Sequence, residues 1–394
     1  MKQDHVNHDR LTRAELLEAR QSGPATCAPR LRVVHLVSTL NIGGLEMMVV
    51  NLVRLADRSR IEPHVLCLGE PGELANRVRA FGVPVETLAQ SGGRRGSTLR
   101  RLVARLHQLR PHVLHTHNPA PHWQGALARL ATRVPVLVNT KHGRNYAHRG
   151  GARWLARTAS WISDAVVPVS EDAADVARHL ERVAPRKLHV VLNGIDLEGY
   201  TPPERRPETF GYRGICVARL NPVKDFPNLL AAVRRVVDQE PRFRLEVVGD
   251  GPARDHVHAL CRELQLDAHV DWLGARHDVR ERLTAADLFV LASKSEGISL
   301  TILEAMMAAL PVVATDVGGN REIVVEGRTG RLVPSGDAER LAAAILDTLA
   351  DPATAIAAGQ AGRQRVVERF DIRQKAAQYE ELYRTLLARR GVQL

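Results

Sequence analysis

Short apolar runs alternate with amphipathic stretches along most of the chain. Apolar runs bounded by Gly, Pro and Asn are typical of buried parallel strands, and the amphipathic stretches between them are typical of the helices of βαβ units. We therefore expect an α/β protein of two doubly wound, Rossmann-like domains in tandem. The predicted strands are 31–38, 64–68, 83–88, 112–116, 134–139, 165–169, 188–192, 214–218, 243–248, 270–272, 288–292, 312–315 and 331–333.

The alternation is interrupted by the proline-rich, charged segment 199–212, which predicts a linker between two domains. Beyond 371 the apolar residues return at helical spacing and predict a terminal helix. Ligands of doubly wound sheets bind at the carboxyl ends of the strands, so the cleft between the domains is the expected site. The predicted organisation is a loose leader over 1–30 with a short helix at 13–20, a first domain over 31–200, a second over 201–370 and a last helix over 371–394.

The composition agrees with a folded protein of two domains. The chain has 394 residues, of which 44% are hydrophobic and 25% charged. Its longest weakly interrupted apolar stretch, 306–314, is far shorter than the ~18 residues of a membrane span. The first twenty residues contain acids and have no apolar core, so we expect no secretory signal. Four widely spaced cysteines predict reduced thiols and a cytoplasmic location.

The net charge of +11 is confined to the first half of the chain. Residues 1–200 hold 28 Lys and Arg against 17 Asp and Glu, whereas residues 201–394 hold 27 of each. This asymmetry favours an anionic partner for the first half, such as a diphosphate substrate or an anionic lipid, although an arginine-rich surface without a partner would look the same. Aromatic residues are only 4% and do not interleave with basic ones, so we expect no nucleic acid.

The strongest chemical signal is the segment 293–325, which contains Glu296 and Glu304. Eight residues of helix would place the two carboxylates about 12 Å apart, which suits two hydroxyl-bearing groups of one extended ligand. An acid and a base acting on one bond need ~5–10 Å instead. The N–H groups of Gly297, Ile298 and Ser299 would open a helix and offer an anion site. The ordinary alternative is a helix cap and a solvated glutamate.

Two loops that connect a strand to a helix offer further ligand contacts. Arg219 and Lys224 stand five residues apart before a helix entered near Pro227, and a guanidinium with an ammonium there suits a diphosphate. Gly43 and Gly44 follow the first strand, where glycine lets the backbone approach a ligand closely. Each loop also has a plain structural interpretation, as a basic loop and as a tight turn.

His117 and His142 each follow a predicted strand end, where they would face the cleft as hydrogen-bonding groups or proton carriers. The spacing of His115 and His117 also suggests a metal site. We expect these two side chains to diverge, because side chains along a strand point to opposite faces, and no Cys or acid completes a site. We therefore expect no metal. No two aspartates stand two apart, so the diphosphate charge should be met by Arg219, Lys224 and helix ends.

Taken together, these segments resemble the retaining glycosyltransferases of the GT-B fold, family 4 or group 1, over about residues 32–370. The resemblance rests on motifs in family order and spacing, and the phrase around Glu296 is most similar to transferases of bacterial exopolysaccharide systems. Leu300 departs from that pattern, because a polar residue is common there. The motifs are the Gly43-Gly44 loop, NGID at 193–196, VARLNPVKD at 217–225, VVGDGP at 247–252, and the Glu296 and Glu304 pair.

The resemblance implies a role for most of these residues. The first domain would bind the acceptor, the second the nucleotide sugar, and the last helix would cross back to the first domain. Asn193, His142 and Gly249 join the expected substrate-binding residues. Glu304 would hold the ribose, and Glu296, with the amides of Gly297, Ile298 and Ser299, would contact the donor-sugar hydroxyls. Arg219 and Lys224 would hold the leaving diphosphate, and Gly44, next to Gly43, would bring its amide to the β-phosphate side. His117 would face the transferred sugar or the acceptor.

The activity implied by the resemblance is transfer of a sugar, with retention, from a nucleotide-diphosphate sugar to a glycan or a polyprenyl-diphosphate-linked acceptor. A UDP sugar is favoured as donor, and no metal or other cofactor is implied. The place would be bacterial surface or exopolysaccharide synthesis, in the cytoplasm or on the inner face of the membrane. Contact with anionic lipid would come from the basic amphipathic helix predicted over 92–110, with Arg94, Arg95, Arg100 and Arg101. Otherwise, its apolar stripe packs on the sheet and its arginines are solvated.

Other functions remain open on the same two-domain fold. A nucleotide-sugar epimerase would need catalytic acids in the cleft and no acceptor. A phosphorylase would need a cofactor-bearing lysine, and none of the six lysines lies in such a motif. A non-catalytic nucleotide-sugar-binding protein would bind without turnover. Loss of catalytic activity is disfavoured, because the chain keeps all four charged candidates, Arg219, Lys224, Glu296 and Glu304.

Overall fold

The computed structural model describes residues 30–89, 95–143, 150–202, 204 and 206–393. The leader predicted over 1–30 and its helix at 13–20 lie outside the described residues, apart from Arg30.

The first half of the chain forms one parallel sheet of six strands in the order β3-β2-β1-β4-β5-β6. The strand order reverses between β1 and β4, as in doubly wound folds, and the strand interiors are almost wholly buried. The strands are β1 Leu31–Val37, β2 Ile61–Cys67, β3 Val85–Thr87, β4 Val113–His117, β5 Val136–Lys141 and β6 Ala165–Pro168. The helices are α1 Gly44–Leu55, α2 Ala75–Ala80, α3 Arg95–Leu109, α4 Pro119–Thr132, α5 Gly150–Ile162 and α6 Glu171–His179, and a 3-10 turn spans Pro185–Lys187.

The second half repeats this architecture, with six parallel strands in the order β12-β11-β10-β7-β8-β9. Two doubly wound units were predicted, and the sheets confirm that prediction. The strands are β7 Arg213–Val217, β8 Arg244–Val248, β9 Val270–Gly274, β10 Leu288–Leu291, β11 Val312–Thr315 and β12 Arg331–Val333. The helices are α7 Phe226–Gln239, α8 Arg254–Glu263, α9 Val279–Ala285, α10 Leu300–Met307, α11 Asn320–Ile323, α12 Ala338–Ala350, α13 Pro352–Arg369 and α14 Ile372–Arg389, with 3-10 turns at Pro207–Thr209 and Pro222–Lys224.

The strand predicted at 188–192 is wrong. Leu188 forms an isolated bridge with Val166, and the N–H of Val191 donates to the carbonyl of Pro168. Because Pro168 has no N–H to return, the segment runs beside the edge strand β6 without forming a ladder.

The last helix, α14, packs on the first sheet after the chain has passed through the second. Its Ile372, Tyr379 and Leu387 lie in one buried cluster with Leu31 and Val33 of β1. The chain crosses between the sheets at two adjacent points, where the N–H of residue 195 donates to the carbonyl of residue 370 and the N–H of residue 372 donates to the carbonyl of residue 195. The domain limits at 200 and 370 stay predictions.

Among the described residues, no single helix is long and apolar enough to cross a membrane. Helices α12 and α13 meet that test only as a pair, bent by 103° at their junction.

Candidate active site

The carboxyl ends of the two sheets meet at a cleft whose walls touch at glycines. A methyl group added at Gly44 would lie 3.5 Å from the Leu300 side chain. A methyl group added at Gly297 would lie only 2.7 Å from the carbonyl oxygen of His142. Any side chain at position 297 would therefore force the two halves apart, so the close approach of the halves requires a glycine here.

Lys224 and Glu296 form a half-buried ion pair in the cleft. Lys224 Nζ lies 2.5 Å from Glu296 Oε1, which also accepts a 2.5 Å hydrogen bond from the Ser293 hydroxyl. The turn that carries Lys224 is capped by Asn221, whose side chain accepts from the amides of residues 223 and 224. The sequence assigned these two residues to different parts of the donor, whereas here each neutralises the other. A phosphate that enters beside Lys224 would compete with the carboxylate for the same ammonium.

Arg219 lies exposed on the loop that follows β7. Gly249 holds this loop in place, because its φ is 143° and an added methyl group would lie 2.0 Å from the carbonyl oxygen of Ala218. Across the cleft stands Glu46, in the first turn of α1 beside the Gly43-Gly44 loop. Burial raises the pKa of the Glu46 carboxyl above its usual value, and the positive charge of Arg219 offsets part of that rise. The structure thus brings a carboxylate of the first half near the predicted diphosphate cation.

Glu304 occupies separate surroundings on α10. Burial raises the pKa of its carboxyl to about 7, and the positive charge of Arg280 opposes that rise only in part. The Arg280 guanidinium lies 4.8 Å from the centre of the Tyr200 ring. The two glutamates therefore differ in electrostatics: Glu296 is held by an ammonium, whereas Glu304 is desolvated and feels the charge of the Arg280 guanidinium.

The segment between these glutamates presents backbone donors to the cleft. Ser299 is the N-cap of α10, which begins at Leu300. Within the described part of the chain, the N–H groups of Gly297, Ile298 and Ser299 have no hydrogen-bond partner. The Ile298 side chain belongs to the core of the second half, so only its amide is offered to a ligand. Free amides at a helix start favour an anion.

A column of four histidines lines the first half behind the cleft. The two ring nitrogens of His117 face two other histidines. Its Nδ1 lies 3.1 Å from Nε2 of His142, and Nε2 of His117 lies 3.2 Å from Nδ1 of His35. His115 lies between the hydroxyls of Thr140, at 2.7 Å, and Tyr383, at 2.6 Å. Burial lowers the pKa of each imidazole, to about 3 for His35 and His142, so all four are neutral near pH 7.

The prediction that His115 and His117 diverge is wrong. Their ring centres lie 4.1 Å apart, because residues two apart in a strand share a face and only adjacent residues alternate. Nitrogens of His35, His115 and His117 lie within 4.8 Å of one another, close enough for a metal ion by distance alone. These nitrogens are instead engaged with one another and with hydroxyls, and the group contains no carboxylate to balance a buried cation. The absence of a metal stays a prediction.

Comparison with known proteins identifies the family. The family described as "Glycosyl transferases group 1" matches residues 211–365, and "Glycosyltransferase Family 4" matches residues 42–199. The α-maltose-1-phosphate synthase of Mycobacterium tuberculosis is 30% identical over 88% of this chain and 96% of its own length. The chain belongs to the family 4, or group 1, glycosyltransferases.

This glycosyltransferase also has a relative named as a glycosyltransferase and relatives among solved structures. The Bacillus subtilis protein named glycosyltransferase EpsD is 29% identical over 69% of this chain and 76% of its own length. The structure of HepE from Anabaena, solved with UDP, has a TM-score of 0.78 and 22% identity, and covers 90% of this chain and 100% of that one. The structural likeness confirms the predicted GT-B fold.

Asn193, His117 and His142 are predicted site residues of the glycosyltransferase that take no part in the Lys224 and Glu296 ion pair. Asn193 is buried beside the crossing between the sheets, and its Oδ1 has no partner among the described residues. His117 is 1% exposed, whereas His142 is only half-buried, and its Nδ1 lacks a partner within the same described residues. Only the backbone carbonyl of His142 is seen to approach the second half, at Gly297, so the structure does not place the His117 ring against that half.

Glu46, Arg280 and Tyr200 are candidate site residues of the glycosyltransferase that the sequence did not reveal. Glu46 could have been found, because an acid in the first helical turn after a glycine loop is a local signal. Arg280 and Tyr200 come from segments far from Glu304 in sequence, so no spacing rule connects them.

Proposed function

We propose that the protein transfers a sugar from a nucleotide-diphosphate sugar, a UDP sugar first, with retention at the anomeric carbon. The observation that carries this proposal is the Lys224 and Glu296 pair, since Lys224 shares its loop with Arg219 and Glu296 directly precedes the free amides 297–299 in the chain. Cations and amides that converge at a helix start suit a leaving diphosphate. The complexes of HepE with UDP and with UDP-glucose support the choice of donor class.

The mechanism that these side chains support is stabilisation of departing negative charge. Arg219 and Lys224 would neutralise the diphosphate as the glycosidic bond to it breaks. As the Lys224 ammonium turns towards phosphate, Glu296 would become free to accept hydrogen bonds from the donor sugar. Glu304 would accept from the ribose hydroxyls. The acceptor hydroxyl would approach from the side of His142, and its proton would pass to the departing phosphate.

The acceptor that we propose is a glycan or a lipid-linked glycan of bacterial surface or exopolysaccharide synthesis. The name of one relative, an exopolysaccharide phosphotransferase of Streptomyces coelicolor, supports this class. The excess of basic residues in the first half also suits an acceptor that carries phosphates.

The experiment is a screen of nucleotide sugars for thermal stabilisation and for hydrolysis, followed by a product assay with glycan and lipid-linked acceptors. We expect a UDP sugar to stabilise and to turn over in the wild type. Lys224→Ala should lose turnover, whereas Lys294→Ala, an exposed lysine paired with Asp225 at 3.0 Å, should retain it. Stabilisation by a donor without turnover across the acceptors would favour a non-catalytic binding protein, and loss of the nucleotide-sugar response altogether would refute the proposed donor.

A further inference from the structure

The first helix of the chain, α1, begins at the cleft without a side-chain cap. Its N-cap is Gly43, which has no side chain to accept from the first amides of the helix. A methyl group added at Gly44 would lie 3.5 Å from the side chain of Leu300, the first residue of α10. The starts of α1 and α10 therefore face each other from the two halves of the chain.

A carboxylate lies over this uncapped start of α1. A methyl group added at Gly43 would clash with Oε2 of Glu46, so the Glu46 side chain folds back over the N-cap. Glu46 is half-buried and belongs to the first turn of the helix. Burial raises the pKa of its carboxyl, and its own backbone N–H and the positive charge of Arg219 oppose that rise. Glu46 therefore supplies the negative charge that a helix start attracts, within the field of a cation of the other half.

This carboxylate is close to the place where the proposed leaving group would bind. The free amides 297–299 directly precede Leu300, and Arg219 and Lys224 share one loop of the same half. Because Leu300 lies against Gly44, a diphosphate held by these amides and cations would lie against the first turn of α1. The same anion position would then be wanted both by the diphosphate and by the side chain that already occupies it.

The proposed reaction adds negative charge at this position. As the bond between the anomeric carbon and the phosphate oxygen breaks, its electron pair stays on that oxygen, and a new bond forms to the acceptor oxygen. The acceptor proton passes to the phosphate and is lost to water at pH 8, because a terminal phosphate has its last pKa near 6. The nucleoside diphosphate product therefore carries one more negative charge than the donor sugar nucleotide.

We infer that Glu46 promotes release of the nucleoside diphosphate product. Its carboxylate occupies the start of α1 in the free protein and yields that position to the diphosphate when the donor binds. After transfer, the carboxylate competes with the product for the helix start and for Arg219. It weakens binding of the product more than binding of the donor, because the product carries the larger charge. This inference rests on the proposed function, since it needs a diphosphate leaving group.

A role in capping the helix can be separated from a role of the charge. Glutamine at the third position of a helix reaches back to the N-cap as glutamate does. Glu46→Gln therefore keeps the shape and the capping group and removes only the negative charge. If Glu46 merely stabilised α1, this variant would bind every ligand as the wild type does.

The test is calorimetric titration of the full chain at pH 8 with UDP, with UDP-glucose and with uridine. Glu46→Gln should lower the Kd for UDP about fivefold, the factor that corresponds to about 1 kcal/mol for one charge at a helix start. The Kd for UDP-glucose should fall by only about twofold, the lower end of the same range. The Kd for uridine, which has no phosphate, should not change. In stopped-flow displacement, UDP should leave Glu46→Gln more slowly than it leaves the wild type.

A matched control comes from another helix start. Glu339 is exposed in the first turn of α12, which follows the edge strand β12, so Glu339→Gln repeats the same change elsewhere. It should bind all three ligands as the wild type does, and unchanged melting temperatures would show that both variants are folded.

Three results would overturn the inference. The first is a Kd for UDP that Glu46→Gln leaves unchanged or raises. The second is an equal change for UDP and UDP-glucose, because Glu46 would then tune diphosphate binding and not release. The third is a change of the same size for uridine, which would show a structural effect of the substitution. A wild type that binds neither UDP nor UDP-glucose would refute the proposed donor and the inference with it, whereas the three results above would leave the proposed donor standing.

Discussion

Lowering the pH from 8 to 6 should weaken nucleoside binding through the Glu304 carboxyl. Burial raises the pKa of this group to about 7, and only the ionised form accepts hydrogen bonds from both ribose hydroxyls at full strength. With that pKa, roughly ten in eleven molecules are ionised at pH 8 and roughly one in eleven at pH 6. We therefore expect the affinity to fall about tenfold over this interval.

The assay is calorimetric titration with uridine, a nucleoside without a phosphate, so that the ligand itself does not titrate between pH 6 and 8. The buried histidines do not interfere, because burial holds the pKa of His142 at about 3 and that of His117 well below its usual value. Glu304→Gln should bind more weakly but equally at both pH values, and 2′-deoxyuridine should show a smaller pH effect. A flat profile for the wild type, or the same slope in Glu304→Gln, would refute the assignment.

The same carboxyl gives the free protein a stability signature. Its pKa is raised above the ordinary value of 4.5, so the folded state holds the proton more tightly than the unfolded chain does. Its contribution is therefore most favourable below pH 4.5 and is lost as the pH rises towards 7. Glu304→Gln should flatten this part of the dependence of the free energy of unfolding on pH, as measured by urea denaturation.

Three further predictions concern the diphosphate cations, the absence of a metal, and the two glutamates. Arg219→Ala and Lys224→Ala should each lower turnover by roughly 10²-fold or more, as expected for lost stabilisation of a leaving group, and near-normal kcat in both would contradict this. Activity should survive EDTA, and a complete loss that Mn²⁺ or Mg²⁺ restores would show that cations other than side chains carry the diphosphate charge. Glu304→Ala should weaken binding of the free nucleoside diphosphate, as measured by titration. Glu296→Ala should leave that binding largely intact and lower sugar transfer in a product assay. The opposite pattern would mean that the roles of the two glutamates are exchanged.

The architecture could be predicted because both sheets are parallel and buried. Such strands are continuous apolar runs, so β1 and β11 are visible without any partner. The segment 188–192 has the same pattern and forms no strand, because its neighbour in space contains Pro168. An apolar run predicts that a segment is buried. Pairing as a strand also needs backbone N–H donors on the neighbouring segment, and the sequence of the run itself does not show which segment that is.

The charged residues could be located, but their pairing could not. Lys224 and Glu296 each stand out at a loop before a helix, yet the 2.5 Å contact between them joins positions 72 residues apart. The local pattern also left Arg280 out, since it sits on an ordinary exposed helix and matters only because α9 packs near Glu304. Electrostatic surroundings are set by tertiary packing, so a sequence names candidate groups and leaves their pKa values open.

The histidine column shows how such packing redirects a chemical role. The sequence placed His117 at the cleft, because β4 ends there, and the strand does end at that residue. Both nitrogens of His117 are nevertheless occupied, one by His35 and the other by His142. Tyr383, which arrives from the last helix 268 residues after His115, holds the ring beside it. With both nitrogens engaged, His117 has no ring nitrogen left for a substrate, whereas Nδ1 of His142 is buried without a partner among the described residues.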